Sequence, residues 1–515
     1  MNLTLGATAT PSSPFTGAIG RVRIHDEPLD NDDLLHPVPP PPPNPKINGY
    51  RGIWFNLGQY GDFGPKYSGG FATYTAKHRP LAVYDAVSDK TFFTYGGTTA
   101  AHEKHLLIMA SFYDHAAHRV HKPTVVMDKN GVDDPHDNAA IQLDEDGYVY
   151  IFVSGRNTSR NGFIYKSTEP RSTAQFELIS PSSGLSFTYP QIWRLPGNGS
   201  DLQPAFFHLF NRYTSGREMY IQTSPDAVTW SPSVKIAAGG GHYQVSAHHG
   251  ETVGSAFNRH PDGDVDARTD LYYLQTSDRG RTWTGADGIT PLPMPMDGRT
   301  HASRVIDYAA QNRLVYMKDL VFDDQGRPVI FYLTSAHHQP GPQGEPRLLT
   351  FTRWSGSDWV TTTLPPSATE TSTVIHNYSS GSLHIEGDIW TVVAPTKATP
   401  VPGPGATQAE KERYWGQGGE METWISADQG ATWTKQSNLT RNSPRKHGYA
   451  RMPQNGKDPF FSFWADGNPE AMTEVHLYFA NRDGSQVWKL PYNLDDDSAE
   501  PEGTAPAFYR LQRGM

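Results

Sequence analysis

Two histidines lie 21 residues apart, His115 in Tyr113-Asp114-His115 and His136 in Pro135-His136-Asp137-Asn138. Imidazole is the side chain whose ordinary pKa lies nearest physiological pH, so two of them placed together can move protons. Each sits where a polar loop meets a strand-rich stretch. Pro-His-Asp-Asn is also a good turn sequence, so a pair of hydrogen-bonded turn histidines is the plain alternative. The stretch from Lys77 to Lys122 is locally basic, with Lys77, His78, Arg79, Lys104, His105, His118, Arg119 and His121 beside His115. It reads either as solvated faces or as the wall of a cleft for an acidic polymer.

The elements that must position these residues are strands. The chain has 515 residues, 36 % hydrophobic and 19 % charged, with 48 Gly and 42 Pro. That is the composition of a β-rich protein with many turns. The 25 Tyr, 12 Trp and 23 Phe suit strands and sugar-stacking surfaces alike. There is no cysteine, which excludes disulfides, thiol nucleophiles and Cys-based zinc sites. No run of about 18 apolar residues exists to span a membrane. The net charge of −10 comes without a basic stripe, which argues against nucleic acid as a partner. The first residues, MNLTLGATATP, carry no secretion signal. Export to the periplasm or beyond is nevertheless the expected localisation, and a monomer the expected state.

Residues 1–36 form a small unit in which Ile19–Ile24 alternates like one strand. The piece resembles the last strand of a laminin-G-like sandwich. Residues 37–46 are a proline-rich, polyproline II-type linker. From 47 to 515, short aromatic and β-branched runs alternate with Gly/Asp/Asn/Pro turns, and no amphipathic helix stands out. Thr276–Trp283 and Ser426–Trp433 share the form [ST]-x-D-x-G-x-T-W, and Ser224–Trp230 is a shortened version. This is the Asp-box of sialidase-like propellers: Asp and Gly make a hairpin turn and Trp packs beneath it. The expected fold is therefore all-β, a seven-bladed β-propeller at about 66 residues per blade. Six or eight blades also fit the length.

The strings GYRGIWFNLG, KYSGGFATYTAKHRPLAVY, FYDH, DDPHDN, FVSGR, TYPQIW, GGHYQVS, RTDLYYLQTSD and HNYSSGSL resemble the BNR-4 group of seven-bladed propellers, which includes ulvan lyases. The resemblance implies a polysaccharide lyase acting at rhamnose–uronate linkages and leaving a 4,5-unsaturated uronate. Such β-elimination needs a cation to neutralise the uronate carboxylate, a base for the C5 proton and an acid for the departing O4. His115 and His136 match the group's paired active-site histidines. Tyr189 and Tyr243 are the candidate acids, with half-buried strand aromatics as the alternative. Arg212 is the candidate carboxylate clamp and Arg259 the second choice, each with a surface arginine as the alternative. The Gly239-Gly240-Gly241 run would let backbone approach a ligand closely.

Some rhamnosidase-type members place a catalytic histidine in the segment matching Tyr74–His78, on the opposite face from the lyase site. Release of rhamnose through His78 is therefore the rival reading, and a non-catalytic glycan-binding propeller is the third. The chemistry requires no cofactor. Asp262-Gly263-Asp264-Val265-Asp266 with Asp270 invites a structural Ca2+, but lacks the Gly and Glu of an EF-hand loop and reads better as a solvated turn. Adjacent histidines such as His248-His249 and His337-His338 should point apart on a strand, so no metal is assigned.

Overall fold

Every long apolar run becomes a strand packed on both faces. Val149–Val153 illustrates the rule. Val149, Ile151 and Val153 pack with Phe92, Ile108 and Ile141. Their alternates Tyr150 and Phe152 pack with Ile192, Phe206 and Phe210. Successive side chains leave a strand on opposite faces, so one five-residue run faces both the preceding and the following sheet. The structure, a computed structural model, describes residues 42–71, 77–156, 158–199, 201–367, 370–396, 403–504 and the backbone of 507–508. The predicted unit at 1–36, with its strand at 19–24, and the first half of the proline-rich linker, residues 37–41, lie outside the described residues. The linker's last residues are already tied to the sheets. Pro45 O accepts from Val125 N at 2.8 Å, and Asn44 Oδ1 accepts from Phe176 N at 2.6 Å.

The chain runs through antiparallel sheets of consecutively paired strands. Their first strands are Ala82–Asp85, Ala139–Leu143, Thr188–Leu195, Gly240–His249, Leu314–Phe322, Ser382–Glu386 and Lys446–Arg451. The last sheet shares a core with the first: Phe463, Trp464 and Phe479 pack with Phe93, Tyr95 and Tyr113. First strands of sheets far apart in sequence also meet. Arg79, just ahead of Ala82–Asp85, bonds Asp319 on Leu314–Phe322 at 2.5 Å. Gln454 bonds both Gln142 and His248. Parallel bridges join Arg79 to Gln191 and Val83 to Gln454. The first strands therefore run in a common direction. Their entry ends, and the loops leading into them, form one end of a central region.

The Asp boxes form the expected turns. Asp278 accepts from Thr282 N and Oγ1, at 2.9 and 2.6 Å, and Asp428 does the same for Thr432. Gly280 and Gly430 take the left-handed conformation at φ 85° and 81°, and Ala227 stands at φ 60° in the shortened box. Trp283 and Trp433 are buried. One feature escaped the sequence reading: an α-helix covers Gln408–Trp415, begun by a capping box between Thr407 and Glu410.

Candidate active site

The loop before Ala139–Leu143 presents His136. Asp134 caps a single 3-10 turn, accepting from His136 N at 3.0 Å. The same carboxylate accepts from Nδ1 of the His136 ring. This selects the tautomer that carries its lone pair on Nε2. Asp134 also accepts from Arg156 Nε at 3.1 Å and from Arg160 at 2.9 Å. Burial alone would raise the Asp134 carboxyl, but its bonds to His136 and the nearby Arg156 hold it far below the usual range. Burial pushes the His136 imidazole below its ordinary pKa, against the pull of Asp134.

Tyr189 is the second residue of the next first strand, Thr188–Leu195, in a left-handed backbone conformation at φ 58°. Its ring centre lies 5.3 Å from that of His136, 5.8 Å from His78 and 5.8 Å from Tyr243. Tyr243, near the start of Gly240–His249, lies 4.6 Å from the ring of His260. His136, Tyr189, Tyr243 and His78 are thus one contiguous group, and all are buried. Around them, Arg156 has 30 % of its side chain exposed, and Tyr213 and Arg217 are half-buried.

His78 is a supporting member of this group. It lies beside His136 rather than on an opposite face, and its Nε2 donates to the His136 carbonyl at 3.0 Å. Burial drives its pKa down to about 3, so it is neutral.

His115 does not join the group. It follows the third strand of its sheet, Leu107–Asp114, whereas His136 precedes a first strand. First and third strands of an antiparallel sheet run the same way, so the two histidines lie at opposite ends. His115 Nδ1 donates to the Asp458 carbonyl at 3.1 Å, and Nε2 accepts from Thr91 Oγ1 at 2.8 Å. It is the hydrogen-bonded turn histidine of the plainer reading.

Arg212 is also elsewhere. It donates to the Ser186 carbonyl at 3.2 Å and to Ser233 Oγ at 2.8 Å, with its guanidinium over Phe210 and Tyr220. Arg259 is the register partner of His242 and acts electrostatically on His242 and Tyr272.

Arg217 joins the group beside Arg156, which bonds Asp134, and the sequence reading missed both. Tyr213 and Arg217 are opposite residues across the hairpin joining Ala205–Tyr213 to Gly216–Ser224. Arg217 donates to Tyr213 Oη at 2.8 Å and to His260 Nδ1 at 3.2 Å, and its guanidinium lies 5.0 Å from the centre of the Tyr243 ring. Its charge reaches Tyr189 and His136. Strand alternation is the signal that could have found it: Arg212 and Tyr213 must point to opposite faces, and Tyr213's face is the one at Tyr243.

The Gly239–Gly241 run serves the fold. A Cβ on Gly240 would sit 2.5 Å from the His260 carbonyl oxygen, so the close approach is to the chain's own backbone. The acidic run at 262–270 splits between partners, with Asp266 on Lys66 and Asp270 on Arg299. His337 and His338 stack at 4.3 Å because they lie in the bend after Pro328–Ser335, not on the strand. His248 and His249 do part, toward Gln454 and Phe322.

Residues 107–367 match the BNR repeat-containing family. The chain belongs to that family. No curated protein matches this BNR repeat-containing chain in sequence. Its fold is similar to that of a PL25 polysaccharide lyase, an ulvan lyase, at TM-score 0.63 and 14 % identity over 80 % of this chain and 93 % of the other. The same lyase bound to -[GlcA(1-4)Rha3S]- aligns at TM-score 0.63 and 13 % identity over 84 % and 94 %. The polysaccharide lyase Uly1 aligns at TM-score 0.55 and 11 % identity over 87 % and 100 %. The BNR repeat-containing protein thus has the β-propeller type of fold found in these lyases.

Proposed function

We propose that this protein is an exported polysaccharide lyase. It cleaves rhamnose–uronate linkages of an acidic polysaccharide of the ulvan type by β-elimination. The sheets described above are read as seven blades, with the reaction at the entry ends of their first strands. The observation that carries the reading is the single group formed by the Asp134–His136 pair, Tyr189 and Arg217. Each of the three needs of the reaction has a resident there. Arg217, with Arg156 beside it, pairs with the uronate carboxylate and makes the C5 proton removable. His136, oriented by Asp134 and neutral at working pH, takes that proton on Nε2. Tyr189 delivers a proton to O4 as the bond to C4 breaks, and the electron pair left at C5 becomes the C4–C5 double bond. Tyr243, against which the Arg217 guanidinium packs at 5.0 Å, holds that arginine in place for the carboxylate. The ligand in the neighbouring lyase, -[GlcA(1-4)Rha3S]-, is the substrate class that this chemistry fits.

The test is incubation with ulvan while following ultraviolet absorbance of the unsaturated product, with product masses measured afterwards. A rise that is lost in His136→Ala and Tyr189→Phe supports the reading. Free rhamnose with no absorbance change overturns it, as does binding without turnover.

A further inference from the structure

The centre of the molecule holds more buried positive charge than the proposed reaction uses. Lys77, Lys318 and Arg451 are each 4 % exposed or less. Lys77 Nζ has one long contact, 3.5 Å, to the carbonyl of Gln244. It lies 4.8 Å from the centre of the Tyr243 ring, which Arg268 also faces at 4.6 Å. Arg268 donates to Tyr378 Oη at 2.5 Å, and Lys318 donates to the carbonyl of the preceding residue, Asn377, at 2.7 Å. Arg451 donates to the Gly381 carbonyl at 3.1 Å and to Ser380 Oγ at 3.3 Å. Lys77 and Arg268 share Tyr243, Arg268 and Lys318 meet at Asn377–Tyr378, and the charge of Arg451 reaches both Lys77 and Lys318, so the four lie in one region.

The partners given for Lys77, Lys318 and Arg451 among the described residues are neutral oxygens. Asp319, whose charge reaches Arg451, is bonded to Arg79. Two further polar atoms in the region are buried without a hydrogen-bond partner, Arg451 Nε and Gln244 Nε2. Ser255 donates to Gln244 Oε1 at 3.0 Å, which fixes the amide so that its NH2 is the unmet end. Both unmet groups are donors. A buried charge left uncompensated is strongly destabilising, and an unmet buried donor adds to that cost. Burial, then the charges of Arg268, Lys318, Arg451 and Arg217, push the Lys77 ammonium well below its ordinary pKa.

We propose that a small inorganic anion is bound at the centre of the fold, held by Lys77, Lys318, Arg451 and the amide NH2 of Gln244. A cavity of 380 Å³ lined by Arg79, Asp319, His384 and Arg451 gives it a path from solvent. The anion keeps the lysines protonated and ties together strands from separate sheets. Its role is in stability, so it stands or falls apart from the lyase reading.

The experiment is thermal melting of the whole protein at constant pH and ionic strength, with gluconate replaced by bromide, chloride or sulfate. A bound anion gives a saturable rise of about 2–3 °C at roughly 100-fold over its Kd. Comparison of halide with sulfate tells a spherical ion from an oxyanion. Lys318→Met abolishes the dependence. Crystals soaked in bromide should show anomalous scattering between Lys77, Lys318 and Arg451, a readout that needs no variant to fold. Equal melting in every anion, with no anomalous peak in this region, overturns the proposal.

Discussion

Arg217 donates to Tyr213 Oη at 2.8 Å and holds its guanidinium 5.0 Å from the centre of the Tyr243 ring. These contacts and the bond from Nη1 to His260 fix the fork in place, and its Nη1–Nη2 edge is the side a carboxylate would pair with. Arg217→Ala should lower kcat/KM on ulvan by about 10²–10³, the scale of losing one preorganised electrostatic donor. Arg217→Lys should recover only part of this, because a point charge cannot pair in two places. Arg212→Ala should stay near wild type. Initial rates of absorbance increase check all three, and a large loss in Arg212→Ala with none in Arg217→Ala refutes the assignment.

Asp134 orients His136 and raises its pKa against burial. His136 must be neutral to accept a proton, and its folded pKa lies below the ordinary value. The acid limb of the pH–rate profile should therefore fall below about 6.5. Removing the carboxylate in Asp134→Asn should move that limb to lower pH and cut kcat by roughly 10²–10⁴ through loss of the tautomer. A limb that moves upward contradicts the pairing.

His78 and His208 are buried neutral, each with a pKa of about 3. The unfolded chain binds their protons near the ordinary value of 6.5, so it binds more protons than the fold between about 6.5 and 3. Stability contributed by their neutral forms is fully present above pH 6.5 and is lost as pH falls through that window. Each costs about 1.4 kcal/mol per pH unit there. Urea midpoints at pH 7, 6 and 5 should decline in steps, and the pH 6 to 5 step should shrink in His208→Gln if that variant folds.

His115 is the sharpest discriminator between the sequence reading and the structure. Its ring nitrogens are spent on Thr91 and the Asp458 carbonyl, at the far end of the strands from His136. His115→Gln should keep turnover within about two-fold while lowering the melting temperature modestly, by the loss of two ordinary hydrogen bonds. Loss of turnover with an unchanged melting temperature would return His115 to the reaction.

Strand character and the Asp boxes were readable because both follow from local rules. Alternation picks out Val149–Val153, and Asp, Thr and Gly at fixed spacing close the turn. His136 was picked out by the resemblance of its string to the BNR-4 group, and Tyr189 and Tyr243 as candidate acids for the chemistry it implies; that the three lie together near the starts of first strands is a fact of the structure that no local rule shows. The misplacement of His115 and Arg212 comes from strand order and parity. His115 follows a third strand, and Arg212 sits one residue from the face that reaches Tyr243. Neither fact is visible until the strands are counted and their register is known. The helix at Gln408–Trp415 was signalled by Thr407 and Glu410, but it is only eight residues long and has no apolar stripe to announce it.

Trp433 tests whether the Asp-box tryptophans serve the fold alone. Its ring stacks on Phe351, centre to centre 4.6 Å, and lies 6.4 Å from Trp390. Phe351 belongs to the preceding sheet, so the indole closes the gap between two sheets beneath the Asp428 turn. Truncation leaves a cavity that backbone hairpins cannot collapse to fill, at a cost of about 3–5 kcal/mol. The proposed active-site group is built on other sheets, from residues 134–136, 189, 217 and 243. Trp433→Ala should therefore lower the urea midpoint strongly while kcat, measured per folded molecule at low temperature, stays within about two-fold. A matching drop in kcat would mean that the site's geometry depends on a joint between sheets far from it in sequence, and the box would have a functional role after all.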